Sequence, residues 1–543
     1  MKKGLAIATC LTLLFGVLAG CSSSTAPAEP TGSTTPAEAT KTEPMVLKWS
    51  INSEPPSMDP GIAVDADSFD MIYAAFEGLT SYDLNGQLVN ATAESFTNSP
   101  DYMNYTFKIR KDAKWSNGDP VTAHDFVYAI KRNLDPKTAS EYAYQLYYIK
   151  GGEEYNTGKG KAEDVGVKAV DDYTVEFNLK SPTPFFRELT FFPTLFPLHQ
   201  KTLEGNPKWA NEAKTIVGNG PFIMDTWEHK SRIVFTKNPN YWDKNNVKLD
   251  RIEIAMIEDN NTAFSMFENG DIDWGGYPAS TLPTDAIPSL KDAGKLMVAD
   301  NPGTQSVVFN TNKPPFNNKK IRQAFAYAIN RQEIIDNILQ TGVPAAYGWV
   351  PTSMGLKPDG YFKEDQAKAK ALLEEGMKEL GLSTFPTVTY TFDTNDTNKK
   401  LAEALQDQWK KALGVNVKLY TAELKVYRDM RSQANFDMIR FQWGADFNDP
   451  INFLEMFRDK TGGNNHPDWE NAKFKELIDK SYNEPDLDKR KKILLEAETI
   501  LMEEMPLAPI NFRGSPYVKN DKVKDFIIFP LGGAYFKYTS VNP

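Results

Sequence analysis

The chain has 543 residues, with 61 Lys and Arg against 72 Asp and Glu for a net charge of −11, four His and two Cys. That acidity speaks against a nucleic-acid partner, because phosphate binding needs a basic face. His124, His199, His229 and His466 are scattered without metal-ligand spacing or a nucleophile motif, and no Gly-x-Ser-x-Gly occurs, so no metal, no cofactor and no catalytic centre is expected.

The first twenty residues read as a secretion leader. Lys2 and Lys3 precede an uncharged apolar run from Leu5 to Val17, shorter than the about 20 residues that a membrane span needs. Leu18-Ala19-Gly20-Cys21 resembles the bacterial lipobox, which would make Cys21 the lipid-bearing first residue of the mature chain. Residues 21–45, built of Ser, Thr, Pro and Ala, hold too few large apolar groups to fold and are expected to form a flexible, lipid-anchored linker. Cys10 leaves with the leader, so no disulfide is expected.

Downstream, period-two alternation predicts strands at Leu47–Ile51, Tyr105–Ile109 and Tyr173–Phe177. Between the last two, a polar turn with Gly118 should lead into a helix near Thr122. Asn330-Arg331-Gln332-Glu333 has capping-box form and should start a helix carrying Ile334, Ile335 and Ile338. Val388–Phe392 reads as a strand, followed by a helix with Leu401, Leu405, Trp409 and Leu413 on one stripe and Gly414 closing it. Val415, Val417 and Leu419 alternate as the next strand, a short helix runs near Leu424 to Arg431, and Phe436–Phe441 begins the last strand. Strand–helix–strand–helix–strand implies parallel pairing, with ligand sites at the carboxyl ends of the strands. Asp446 falls at such an end, just after Trp443-Gly444-Ala445. An ionised carboxylate beside so much aromatic surface loses hydration and needs a cation or several donors. Helix capping is the alternative, since Asp446, Asn448 or Asp449 could open the helix announced by Pro450 and Phe453-Leu454.

The stretch Phe436–Pro450 resembles the peptide-binding strand of the oligopeptide-binding proteins, the extracytoplasmic solute receptors of ABC peptide importers (extracellular solute-binding family 5). Arg110–Phe126, Val217–Phe222 and Asn238–Asp243 are similar to further landmarks of that family, and the likeness runs through nearly all of residues 46–543. The resemblance implies an α/β, two-lobe periplasmic-binding-protein-like fold of class II with an extra inserted domain and mixed sheets flanked by helices. Lobe I would comprise 46–77, 200–304 and 513–543, the insert 78–199, and lobe II 305–512. It also implies a monomeric receptor that captures short peptides and hands them to the permease subunits of an ABC transporter. That receptor would sit on the extracytoplasmic face of the bacterial cell membrane, anchored through lipid on Cys21. A dipeptide, a metal chelate or a signalling peptide are alternative cargoes within the same fold.

By the same resemblance Asp446 holds the ammonium group of the peptide N-terminus. Val64-Asp65-Ala66 and Trp443-Gly444-Ala445 flank an extended ligand held as an added strand, with Gly444 admitting its backbone. Arg431 and Arg440 serve the ligand carboxylate, and Tyr142 bonds its main chain. Plainer readings stay open residue by residue: a surface loop for Val64–Ala66, an internal ion pair for Arg440, a solvated or dipole-facing cation for Arg431, a core aromatic for Tyr142. Two positions depart from the family pattern. A tryptophan is Leu424 here and a tyrosine is Arg513, which leaves peptide length and side-chain preference open and gives Arg513 the chemistry to hold a carboxylate or an acidic side chain.

Overall fold

The computed structural model describes residues 43–460, 464–529 and 532–542. The leader, Cys21 and the linker up to residue 42 lie outside the described residues. None of the described helices is long and apolar enough to cross a membrane.

Ordered structure begins at Val46–Ile51, where Leu47, Trp49 and Ile51 point into the core while Lys48 is exposed, the alternation its sequence predicts. This strand pairs in parallel with Arg251–Met256, which continues antiparallel to Arg232–Lys237 and Phe222–Glu228. The Trp49 ring lies 5.2 Å from both Trp274 and Phe526, so the first strand is clamped by residues more than two hundred positions away.

A second, self-contained sheet joins Ala93–Asn98, Asn104–Ile109, Thr174–Asn178 and Val167–Asp171, all antiparallel. The helix Ala123–Leu134 packs on it and opens with Thr122 and Asp125 in a reciprocal capping box. Its leading turn explains why three separate sequence landmarks belong together. Ser116 N–H donates to Gly218 O at 2.7 Å, Asn240 Nδ2 donates to Ser116 O at 3.0 Å, and the Arg110 guanidinium lies 3.9 Å over the Trp242 ring. Asn219 meanwhile grips the backbone of Glu77 from both sides, Glu77 N–H to Asn219 Oδ1 at 3.0 Å and Asn219 Nδ2 to Glu77 O at 2.8 Å. Gly220 is required here, since a Cβ would stand 2.5 Å from the Ala75 carbonyl carbon.

The third sheet has six strands in the order Trp274–Gly276, Leu507–Lys519, Met297–Phe309, Met438–Gly444, Val388–Asp393, Val417–Ala422. The last three are parallel to one another, as the alternation of strands and helices implies. The helix Asp396–Leu413 buries Leu401, Leu405 and Trp409 completely and ends on Gly414 at φ 71°. Two strands of thirteen residues, Met297–Phe309 and Leu507–Lys519, run antiparallel through the molecule, with Thr304 opposite Phe512.

Three expectations need adjustment. The strand expected from Tyr173 starts at Thr174, because Asp171 accepts from Tyr173 N–H and Thr174 Oγ1 and holds a turn there. The strand expected at Val415 begins at Val417 and runs to Ala422, where it matches Val388–Asp393 residue for residue. The helix at Asn330 is α-helical only over Arg331–Ile334 and widens to a π-turn over Ile335–Leu339. Asn330 Oδ1 does accept from Glu333 N–H, but the Asn330 N–H goes to Gln408 rather than to Glu333. The fully buried Arg331 guanidinium, bonded to carbonyls of Ala326, Ile329, Ala346 and Pro509, pins this helix from beneath.

Candidate functional site

The site grows from the strand Met438–Gly444. Its apolar residues Met438, Ile439 and Phe441 are buried, which fixes its register against Met297–Phe309 from Met438↔Phe309 to Gly444↔Gly303. On its other side it meets Val388–Asp393 only through Met438 and Ile439. Beyond Ile439 that edge is unpaired by strand. Ala445 N–H donates to Pro302 O at 2.8 Å, so by alternation the amide groups of Gly444 turn toward the unpaired edge. The chain then reaches Asp446.

Capping falls to Asp449. Its Oδ1 accepts from Ile451 N–H at 2.9 Å and starts the short helix Ile451–Leu454, while its two oxygens also take both Nη atoms of Arg490 at 2.7 and 2.9 Å. Asp446 is therefore free of that role. Its N–H donates to Asn452 Oδ1 at 3.2 Å, and the polar side chains of Asn452 and Tyr144 lie near enough to its carboxyl to favour the charged form. Among the described residues no Lys, Arg or His nitrogen lies within ion-pair distance of it. Burial raises the carboxyl to about 6, the polar groups of Asn452 and Tyr144 offsetting only part of the desolvation.

Two cavities meet at Asp446. One, of about 240 Å³, is lined by Val64, Ala66, Tyr142, Ala445 and Asp446 with Phe69, Phe192 and Phe529. Five of the residues singled out in the sequence thus share one wall. Tyr142 is half-buried, its ring 5.0 Å from Phe192 and 5.7 Å from Phe69, and the nearby Asp446 charge adds to burial in raising its hydroxyl. The other cavity, of about 550 Å³, is lined by Tyr144, Tyr147, Tyr148, Trp443, Asp446 and Glu455 among others. Glu455 is raised to about 7, burial again leading.

A raised carboxyl gives a signed pH effect. An ammonium ligand needs the charged form, so affinity should fall as pH drops through 6, roughly tenfold between pH 7.5 and pH 5 for a folded value near 6. Stability of the unliganded protein moves the other way. The charged form carries a desolvation cost above that pH, relieved as pH falls from about 6 toward about 4, the ordinary carboxylate range. Burial likewise raises Glu455, beside Asp446, and Glu188 to about 7. Calorimetry across this range should therefore include Asp446→Asn, whose residual affinity should be flat from pH 7.5 to 5. A flat profile in the wild type would contradict the assignment.

The remaining expected residues fall as follows. Asp65 caps the helix Ala66–Ala75, accepting from Ser68 N–H at 2.9 Å and Ser68 Oγ at 2.8 Å, so its carboxylate is taken, and of these three residues Val64 and Ala66 line the cavity. Ala66 is already the first helical residue, which shortens the extended segment available on this side. Trp443 Nε1 donates to Asn452 Oδ1 at 3.0 Å, fixing its ring beside Asp446. Arg440 pairs with Asp393 at 3.2 Å and with Gln442 Oε1 at 3.0 Å, the internal-ion-pair alternative, though its Nε has no partner. Arg431 spreads over Phe441 at 5.2 Å and Tyr427 at 5.5 Å with a buried, unpartnered Nε. His466 beside it is held neutral, lowered to about 3 by burial and by the Arg431 charge. The face of Gly444, expected to admit a ligand backbone, is covered by Arg513: a Cβ there would lie 2.5 Å from Arg513 Nη1. Leu424 is exposed.

Sequence reasoning missed Tyr144 and Asn452, the two polar neighbours of Asp446. Asn452 follows Asp446 by six residues and Tyr144 stands in a run of four tyrosines, so neither had a spacing that distinguishes it. Among the described residues no group of three or more His, Cys, Asp or Glu is placed to hold a metal ion.

Residues 87–465 match the family model described as bacterial extracellular solute-binding proteins, family 5 Middle. The oligopeptide-binding protein OppA of Bacillus subtilis (strain 168) is 44% identical over 545 residues, covering 99% of both chains. Among solved structures, the unliganded open form of the periplasmic murein tripeptide binding protein MppA superimposes with a TM-score of 0.83 at 29% identity, covering 92% of this chain and 98% of that one. The complex of Haemophilus influenzae OppA with the peptide RPPGFSPFR superimposes with a TM-score of 0.72 at 32% identity, covering 92% and 99%.

Proposed function

This chain belongs to the bacterial extracellular solute-binding proteins of family 5, and we propose that it is the receptor that captures short peptides for an ABC importer. The observation that carries the reading is Asp446. It is a desolvated carboxyl raised to about 6, without a cation among the described residues, at the end of an unpaired strand edge and inside an aromatic-lined cavity. A peptide of any sequence offers an ammonium group and a row of backbone donors and acceptors. Asp446 takes the ammonium, and the open edge at Gly444 with the backbone at Val64 takes the main chain. Trp443 and Tyr142 wall the site. Arg431, with a free Nε, is better placed than Arg440 to meet a carboxylate farther along, because Asp393 already occupies Arg440.

In this account lobe I is 46–77, 200–304 and 513–543, lobe II is 305–512, and 78–199 is the insert. The pairing of Thr304 with Phe512 supports placing both crossings on adjacent strands. The greater likeness to an open, unliganded relative supports an open resting form that closes on peptide and docks on permease subunits. Small-angle scattering is expected to show compaction with saturating peptide, and no compaction would contradict closure. Cys21 would carry the lipid that tethers the monomer to the outer face of the membrane. Catalysis is no part of this function, so peptides incubated with the protein should be recovered uncleaved.

Native mass spectrometry of the protein purified without denaturation tests the cargo. Co-purified masses should resolve into short peptides with free N-termini. A single non-peptide ligand, or N-blocked peptides, would overturn the reading.

A further inference from the structure

Arg513 stands where the register of the two long strands breaks. Phe512 faces Thr304 and Gly514 faces Asp300, so one residue opposes Asn301, Pro302 and Gly303. A bulge of this kind re-aims the side chain it carries. That side chain lies across Gly303 and Gly444, themselves a cross-strand pair. A Cβ on Gly444 would stand 2.5 Å from Nη1, and one on Gly303 would strike Cδ. The two glycines form the slot in which the arginine rests.

The guanidinium in that slot is partly buried, and it makes no hydrogen bond or ion pair with any described residue. Burial lowers its pKa, opposed by Tyr277, whose hydroxyl donates to Gly532 O, and reinforced by the Arg440 charge. Other buried arginines engage partners, Arg490 through both Nη atoms with Asp449, Arg132 with Asp59, Arg331 and Arg322 with rows of carbonyls, although the Nε of Arg490, like those of Arg431 and Arg440, has none. Five donors arranged as a fork, partly buried and unused by the protein, suit a carboxylate held by two parallel bonds. Gly444 precedes Asp446 by two residues, about 7 Å along a strand. That is the separation between the ammonium group of an extended peptide and the far end of its second residue.

Resting on the receptor reading above, we propose that Arg513 forms an anion subsite beside Asp446 and selects peptides whose second residue carries a carboxylate. The carboxylate can be an acidic side chain in a longer peptide or the C-terminus of a dipeptide. The test is calorimetry on the full mature protein with Ala-Glu-Ala, Ala-Gln-Ala and Ala-Ala, repeated with Arg513→Met. Wild type should bind Ala-Glu-Ala about tenfold or more tightly than Ala-Gln-Ala, and Arg513→Met should erase that preference while leaving Ala-Gln-Ala within about twofold. This identifies the side chain as the source. Loss of Ala-Ala binding in the variant, by a similar factor, identifies the terminal carboxylate instead. Equal wild-type affinities for the two tripeptides, with Ala-Ala unchanged by the substitution, would overturn the proposal, as would a preference that survives in Arg513→Met. Should the methionine variant fail to fold, Arg513→Lys keeps the charge without the fork and should retain only part of the preference. Failure of every peptide to bind wild type would remove the receptor reading and the subsite with it, whereas normal Ala-Gln-Ala binding with no preference and with Ala-Ala unchanged by the substitution removes the subsite alone.

Discussion

Asp446→Asn should weaken binding of a tri- or tetrapeptide by about 3–5 kcal/mol, the range for breaking an enclosed ion pair by removing one partner. The substitution preserves shape. The backbone N–H at this position still donates to Asn452 Oδ1, so the cavity walls stay in place. What disappears is the charge that an ammonium group would meet, in a pocket where burial has already stripped the carboxyl of most of its water. The unliganded variant should melt at a higher temperature than wild type at pH 7.5, because a carboxyl raised to about 6 is ionised there at a desolvation cost. Opposite signs for affinity and stability separate a binding carboxylate from a structural one. Near-native affinity in the variant would take Asp446 out of the site.

Lys537→Met carries the second large effect, on stability. Lys537 and Glu77 are 3% and 2% exposed, and Lys537 Nζ reaches Asp243 Oδ2 at 2.9 Å and Glu77 Oε1 at 3.5 Å. Glu77 also receives Trp242 Nε1 at 2.7 Å, Thr92 Oγ1 at 3.2 Å and the Tyr241 hydroxyl. Burial alone would depress the lysine, yet Glu77 and its other neighbours hold it above its ordinary value. Methionine would leave two carboxylates facing each other without a cation, at about 3–5 kcal/mol. Urea unfolding should read that loss, and adding Glu77→Gln should recover part of it through the coupling expected of direct partners. A loss under about 1 kcal/mol would mean the cluster is solvated in a way its burial does not suggest.

Much of this organisation was legible along the chain. The strand at Leu47, the stripe Leu401–Leu405–Trp409, the Gly414 stop and the Thr122 cap all follow from local periodicity and capping chemistry, and each element stands where those signals put it. The resemblance located the three landmarks around Ser116, Asn219 and Trp242, and only the structure shows that they hold one junction around Glu77. Carboxylate roles were less legible, because one residue type serves several purposes. Asp65, Asp446 and Asp449 all precede helices, and what distinguishes them is three-dimensional: Ser68 engages the first and Arg490 the last, leaving Asp446 to Asn452 and Tyr144. The same holds for arginines. Arg440 finds Asp393, forty-seven residues earlier, whereas Arg513 finds no partner at all among the described residues. The slot that Gly303 and Gly444 make for it depends on a register break between distant strands that local sequence does not encode.

The most direct measurement compares one tetrapeptide with its N-acetylated form by calorimetry at pH 7.5. A carboxyl that waits for a free amino terminus predicts binding of the unmodified peptide and a loss of about a hundredfold or more on acetylation. Equal affinities for the two forms would contradict it.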